Sequence, residues 1–371
     1  GFEVRGKESM VYKLKKALYG LKQAPRAWNK RIDSFLSQIG FEKCTSEHGV
    51  YVKCWKNSEK TEKLIVCLYV DDLLITSSNE DAIIMFKGQM MNEFEMSDLG
   101  LLTYFLGIEF KVTQYGTVMH QSKYAKDLLK RFNMQQSNPA GTPAEVGLIL
   151  KNDTNEDLVD PTYYRKIVGC LRYLCNTRPD LSFSVGLISR FMQEPKQSHL
   201  IAAKRILRYV QGTVDFEILF PKGEADSEPN LVGYSDSDWC GDKCDRKSTA
   251  GYIFFFGGAP ISWTSITEPV VALSSCEAEY IAASETACQA VWLDTLMTEL
   301  QVKGKSKVKL FVNNKFAIDL ARHPTSHGRS KHIETRFHFI REQVSNEKLK
   351  LEHCRTEIQL ADIFTKALKL E

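Results

Sequence analysis

The spacing of hydrophobic and polar residues changes along the chain. In the first part, apolar residues recur at helical spacing over 13–39 and 79–99, and strand-like apolar runs fill 49–52 and 64–76. Helices interspersed with strands in this way are typical of an α+β domain. We therefore predict such a domain over residues 1–120.

Residues 121–220 have the pattern of a helical region. Apolar side chains recur every three or four residues, as in amphipathic helices, over 124–132, 163–175, 181–192 and 198–211. A short strand is predicted at 216–220. The polar segment 221–230 contains two prolines and a glycine, and we predict that it is a linker.

From residue 231 onward, a run of strands gives way to alternating helices and strands. Strands are predicted at 231–235, 250–256, 259–264, 307–312 and 349–354. Helices are predicted at 276–301, 316–321, 337–344 and 359–368. Ser274 and Ser275 offer an N-cap for the first of these helices. The order favours an α/β domain, a mixed sheet flanked by helices, over 231–371.

Composition is that of an ordinary globular protein. The chain has 371 residues, of which 43% are hydrophobic and 26% charged, and its net charge of +3 permits nucleic-acid binding without requiring it. The ten cysteines show neither a disulfide framework nor zinc-ligand spacing, which favours reduced thiols. The sequence has no signal peptide and no apolar run that could span a bilayer. We therefore expect an intracellular protein with no membrane partner.

Two adjacent carboxylates occupy a predicted hairpin turn. Asp71 and Asp72 lie between the apolar runs 64–68 and 73–75. Flanks this apolar predict strands buried on both faces, where a charge is costly unless it is paired. A divalent metal ion such as Mg²⁺ would pair with these acids. An ordinary solvated turn is the alternative.

Several segments resemble the reverse transcriptases of copia-type (Ty1/copia) LTR retrotransposons. Residues 14–28 are similar to the segment that positions template and nucleotide, and the Tyr-Val-Asp-Asp sequence at 69–72 is similar to the metal-binding box. Residues 104–109 and 121–125 resemble later palm and thumb segments, and 177–181 resembles the connection region. The resemblance runs nearly end to end. It implies the C-terminal part of a Pol polyprotein: a partial palm, a helical thumb and connection, and a ribonuclease H-like domain.

This resemblance also implies roles for individual residues. Asp71 and Asp72 would be catalytic and would bind Mg²⁺, or Mn²⁺, with two ions in each active site. Nucleic acid or nucleotide would contact Gln23, Pro25, Arg26 and Tyr69. The implied partners are an RNA template, a DNA primer, an RNA–DNA hybrid and the remaining segments of the Pol polyprotein. Family members act in a cytoplasmic virus-like particle or in the nucleus. The oligomeric state is not implied.

A second set of acids resembles the ribonuclease H site, which needs several carboxylates around two metal ions. Asp236 ends the first predicted strand, Glu279 begins the long helix, and Asp362 matches the final acid of the family. Taken singly, each could be a structural or solvated acid. Glu277 lies about 200° around the helix from Glu279, and we predict that it is solvated.

The third acid of that family is replaced here. Asn313 stands at the end of the fourth strand, where an Asp is usual. An amide oxygen can ligate a metal ion, but it brings no negative charge to hold two dications. We therefore expect impaired ribonuclease H activity.

A polar segment at 327–334 resembles a further motif of the family. His332 would shuttle a proton or contact a phosphate, and Arg329 and Lys331 would contact nucleic acid. For the histidines at 327 and 332, structural hydrogen bonds in a loop are the alternative.

The resemblance also bears on activity. Copia-type enzymes carry another catalytic Asp on a palm strand that would precede Gly1, and the chain does not begin with Met. We therefore expect this copy to be inactive as a polymerase. A non-catalytic nucleic-acid-binding remnant, or a domesticated copy, is the alternative.

Overall fold

The protein forms two compact units, Gly1–Gly100 and Leu101–Glu371. A computed structural model describes residues 6, 9–10, 13–14, 17–18, 20–57, 60–152, 154–223, 230–304, 306–323 and 335–369. Each unit has its own core. The domain boundaries predicted at residues 120, 220 and 230 remain predictions.

Unit 1 is an antiparallel sheet covered by helices. Its strands follow the order β1 (Glu42–Lys43), β2 (Val50–Asn57), β3 (Lys60–Tyr69) and β4 (Asp72–Ser77). Helices α1 (Ala24–Gln38) and α2 (Glu80–Glu93) pack Leu36 and Phe86 against Val66 of β3. Proline at 25 suits the first turn of α1, and the Asn79 side chain caps α2. This is the predicted α+β arrangement.

Three local expectations for unit 1 are wrong. The first helix begins only at Ala24, because Pro25 is compatible with a helix start and not with an interior. The second ends at Glu93 instead of continuing to residue 99. The strands flanking the acids bury only one face fully: Leu64 and Val66 are buried, whereas Ile65 is half-buried.

Unit 2 begins with a small antiparallel sheet and a helical core. Helices α3 (Ser122–Arg131), α4 (Pro161–Leu174), α5 (Ser182–Ser189) and α6 (Gln197–Gly212) confirm the four predicted helices and share one core. The sheet consists of β5 (Tyr104–Phe105), β6 (Ile108–Thr113), β7 (Gly116–His120) and β8 (Ile218–Pro221). The sequence pattern predicted β8 but neither β6 nor β7.

The rest of unit 2 is the predicted mixed sheet flanked by helices. Its strands are β9 (Leu231–Asp238), β10 (Thr249–Phe256), β11 (Ala259–Thr267), β12 (Val308–Val312) and β13 (Leu349–His353). They lie in the order β11-β10-β9-β12-β13; β12 is parallel to β9 and β13, and the other pairs are antiparallel. The helices are α7 (Ser275–Glu299), α8 (Lys315–Arg322) and α9 (Phe339–Ser345), which share a core with the sheet.

The C-terminal segment lies against the opposite face of this sheet. The helix predicted at 359–368 is wrong: the chain makes a short 3₁₀ turn at Leu360–Phe364 and then leaves helical geometry. Phe364 packs in a small cluster with Ile253 of β10. Tertiary contacts of this segment outweigh its helical pattern. Within the described part of the chain, no helix combines the length and apolarity needed to span a bilayer.

Candidate active site

Asp236 lies at the centre of a buried polar cluster. It lies near the end of β9, as predicted, and it is 3% exposed. Parallel pairing sets Val312 of β12 beside Ser235, so that Asn313 comes next to Asp236. The amide Nδ2 of Asn313 donates a hydrogen bond of 3.0 Å to Asp236 Oδ1. The residue that replaces the expected acid is therefore in direct contact with the first acid.

The C-terminal segment supplies further groups to the cluster. Thr365 Oγ1 donates to the other carboxylate oxygen of Asp236, and Lys366 forms a 2.7 Å ion pair with Asp362. The close approach depends on Gly251 of β10, since a Cβ there would lie 2.5 Å from the Cβ of Phe364. The sheet and the C-terminal segment thus bring Asp236 and Asp362 together.

The long helix places the last acid of the cluster. Glu279 is 5% exposed, and a backbone hydrogen bond from Ser237 holds its carboxylate beside β9. Burial and the neighbouring charge of Asp236 raise the pKa of Glu279 to about 9. Burial, together with repulsion from Asp362, also raises the pKa of Asp236, although the Thr365 hydrogen bond opposes the rise. The carboxyls therefore repel one another at close range.

The donor atoms of this cluster suit a hard divalent cation. Three buried oxygens of this cluster have no hydrogen-bond partner in the described part of the chain: Glu279 Oε2, Asn313 Oδ1 and Asp362 Oδ1. Oxygen ligands of this kind are those that Mg²⁺ prefers. The side chains are not yet arranged as ligands, since no three Asp, Glu, His or Cys side chains of the described ranges form a metal-holding group. Asn313 and Thr365 occupy both oxygens of Asp236 instead.

Two further acids lie close to this cluster. Glu277 is buried and accepts a 2.8 Å hydrogen bond from the Leu273 amide, so the prediction that it is solvated is wrong. It caps α7, together with Ser274. Glu268, which the sequence analysis missed, is 1% exposed and accepts a 2.8 Å hydrogen bond from Ser237. It follows β11 as an isolated acid, so no spacing in the sequence marks it.

Unit 1 presents the other pair of acids on a strained turn. Tyr69 pairs with Asp72, which leaves Val70 and Asp71 as a two-residue turn. The φ angle of Val70 is +53°, a value that favours glycine. Asp71 and Asp72 are both exposed. The indole of Trp28 donates a 2.6 Å hydrogen bond to the carbonyl of Val70, which ties the turn to α1.

The predicted nucleic-acid contacts of unit 1 lie on its surface. Gln23, Pro25 and Arg26 are exposed at the start of α1, the same helix that holds Trp28. Tyr69 is 54% exposed beside the turn. Their roles in binding nucleic acid remain predictions. His332, Arg329 and Lys331, together with His327, lie outside the described residues.

The sequence of this chain matches a known protein family. Residues 1–146 match the family model described as "Reverse transcriptase (RNA-dependent DNA polymerase)". The chain is 34% identical over 289 residues to a putative transposon Ty5-1 protein of Saccharomyces cerevisiae, covering 77% of this chain and 92% of that protein. The chain described here belongs to the Pol proteins of copia-type retrotransposons.

The copia-type Pol chain is also similar to a much longer protein. It is 41% identical over 369 residues to the retrovirus-related Pol polyprotein from transposon RE1 of Arabidopsis thaliana. The match covers 99% of this chain but 25% of the polyprotein, so the chain spans a quarter of that relative. Among solved structures, the N-terminal ribonuclease H domain of Rv2228c from Mycobacterium tuberculosis is similar at 12% identity, covering 37% of this chain and 91% of that one. Its TM-score of 0.27 is too low to support a fold assignment.

Proposed function

We propose that unit 2 binds RNA–DNA hybrids and cleaves their RNA strand weakly, as an impaired ribonuclease H. The observation that carries this proposal is the hydrogen bond from Asn313 to Asp236 inside the buried carboxyl cluster. The family resemblance implies an acidic ligand at this position, but the amide donates a hydrogen bond to Asp236 and adds no charge. The natural setting would be a longer Pol polyprotein, in a cytoplasmic virus-like particle or in the nucleus.

In this proposal the cluster holds divalent ions through its oxygens. Asp236, Glu279 and Asp362 would supply three carboxylates, and Asn313 would supply the oxygen that has no partner. Bound Mg²⁺ would lower the pKa of a water molecule and stabilise the charge on the leaving oxygen. The chain itself must release Asp236 from Asn313 and Thr365 before that carboxylate can act as a ligand. Both the missing charge and this competition reduce activity.

The test is cleavage of an RNA–DNA hybrid by Asn313→Asp. This change returns the fourth charge, and we expect cleavage to rise by about two orders of magnitude or more, because each lost charged ligand forfeits several kcal/mol of transition-state stabilisation. The control is the double change Asn313→Asp with Asp236→Asn, which should be inactive again.

Two outcomes would count against the proposal. Equal cleavage by the natural chain and by Asn313→Asp would show that the charge at this position does not limit the reaction. Hybrid binding without cleavage by either protein would instead favour the second candidate, a nucleic-acid-binding remnant. The hydrogen bonds that occupy both oxygens of Asp236 and the Lys366–Asp362 ion pair give that candidate its support.

For unit 1 we propose an ancestral role in RNA-directed DNA synthesis, with Asp71 and Asp72 as metal ligands. Both acids are exposed, and in the described part of the chain no third Asp, Glu, His or Cys completes a metal site with them. The 371 residues alone should therefore not extend a primer on an RNA template. Incorporation with Mg²⁺ or Mn²⁺ well above that of an Asp71→Asn control would refute this.

A further inference from the structure

Unit 2 contains a second polar site, a groove beside the edge strand β11. The groove has a volume of about 640 Å³ and lies between α4–α5 and β11. Hydroxyl, amide and guanidinium groups dominate its lining, and no Asp or Glu is part of it. We name it the β11 groove, and its polar lining includes Arg172, Asn176, Ser189, Arg190, Ser265 and Thr267.

The two arginines of the groove differ in their surroundings. Arg190 is held in place by an ion pair with Asp242 and by a 2.9 Å hydrogen bond to Thr249, while its buried Nε has no partner among the described residues. Arg172 is exposed and makes no hydrogen bond or ion pair with any described residue. Several other arginines of unit 2 are used internally, as in the Arg205–Glu145 pair. Arg172 is therefore available for an anion from outside.

Sheet register connects this groove to the carboxyl cluster. Ser265 of β11 pairs with Gly251 of β10, and Gly251 pairs with Asp236 of β9. Two strand spacings correspond to roughly 10 Å. At a rise of about 3.4 Å per nucleotide, that distance is about three steps along a strand. Phe364 and Thr365 cover Gly251 between these two positions, so a nucleic-acid strand bound at Asp236 would reach the groove by passing around the C-terminal segment.

We propose that the β11 groove binds the sugar–phosphate backbone of a nucleic-acid strand whose neighbouring segment lies at the carboxyl cluster. The inference rests on the proposed function of unit 2 and adds a second contact to it. Arginine guanidinium groups and hydroxyls are the usual partners of phosphate oxygens, and they bind without reading sequence. An acid-free lining avoids repulsion of the phosphates.

The experiment measures how hybrid affinity depends on salt. A fluorescently labelled RNA–DNA hybrid is titrated with the full chain in EDTA at several KCl concentrations. Arg172→Ala should reduce the slope of log K against log [salt] by about 0.9, the value of one lost phosphate contact. Arg172→Lys should keep the slope. The matched control is Lys307→Ala, which removes a cation just ahead of β12, at the end of that strand remote from Asn313, and should leave the slope unchanged.

The outcomes separate this inference from the proposed function. If the natural chain binds the hybrid and Arg172→Ala has the same slope, the groove proposal is wrong while hybrid binding stands. An equal loss in Lys307→Ala would also overturn it, because the effect would then be one of net charge. If the natural chain binds no hybrid, the proposed function itself fails. Thermal unfolding of each variant verifies that the exposed substitutions leave the fold intact.

Discussion

The side-chain amide of Asn313 donates a 3.0 Å hydrogen bond to Asp236 Oδ1, so one carboxylate oxygen at the centre of the carboxyl cluster is occupied by a neutral donor. An acid at residue 313 would repel Asp236, whereas the amide stabilises it without a metal ion. Under the proposed function, the chain would lack one metal-binding charge and would be more stable without a metal ion.

This contact predicts that the stability of Asn313→Asp depends on metal. Without divalent ions the variant should lose roughly 1–3 kcal/mol of unfolding free energy, because a donor disappears and a carboxyl is added beside other carboxyls. Added Mg²⁺ should restore the loss. Denaturant unfolding with EDTA or Mg²⁺ measures both effects.

Asn314→Asp is the matched control for that measurement. The neighbouring Asn314 caps α8 by accepting hydrogen bonds from the amides of Phe316 and Ala317, a role that Asp performs equally well. It adds the same charge one residue away and should change stability little. A similar destabilisation of both variants would mean that the contact with Asp236 is not the cause.

Glu268 predicts a stability that falls as pH rises. Burial raises the pKa of Glu268 to about 8. Since the folded state holds this proton more tightly than the unfolded state, the stability is fully present below the unfolded pKa and is lost as pH rises toward 8. Glu268→Gln should remove this dependence. The difference in unfolding free energy between the variant and the natural chain should therefore grow in favour of the variant by up to about 1.4 kcal/mol per pH unit between pH 5 and 8. If denaturant unfolding gave the two proteins the same change of unfolding free energy with pH, the raised pKa of Glu268 would be contradicted.

Two glycines of unit 2 should respond oppositely to alanine. Gly251→Ala places a Cβ 2.5 Å from Phe364 Cβ, which forces the C-terminal segment and Asp362 away from β9. We expect a loss of about 2 kcal/mol or more from this overpacking. Gly169 lies exposed inside α4, with open space around its Cα, so Gly169→Ala should stabilise by about 0.5–1 kcal/mol. Thermal unfolding measures the stability of both variants. If Gly251→Ala were as stable as the natural chain, the C-terminal segment could move away from β10 at little cost.

The strained turn of unit 1 can be tested by a second matched pair. Val70→Gly relieves a φ of +53° and should be neutral or stabilise by up to about 1 kcal/mol. Thr61→Gly, at an exposed position in the adjoining strand β3, should destabilise by about 1 kcal/mol, since the φ of Thr61 is not positive and glycine only loses entropy there. Equal losses in both variants would indicate that the turn carries no strain in solution.

Local patterns determined much of this protein from sequence alone. The 3.6-residue period gave the helices of unit 2, and Ser274 marks the start of α7 as expected for an N-cap. The adjacent Asp71 and Asp72 mark the position of a hairpin between apolar strands, although the turn itself consists of Val70 and Asp71, and Asp72 already begins β4. The acids Asp236, Glu279 and Asp362, and the substitution at Asn313, were all found by resemblance to a family motif.

Only the tertiary structure decided which atoms meet. Parallel pairing of β9 and β12 joins residues 77 positions apart, and no local period encodes the hydrogen bond between Asn313 and Asp236. Packing of Phe364 on Gly251 overrides the helical pattern of the C-terminal segment. Burial of Glu268 depends on strand order, and so does the β11 groove. Sequence periodicity shows only which face of a segment prefers to be buried. The contacts above depend on packing between segments that are far apart in the sequence, and no local pattern encodes them.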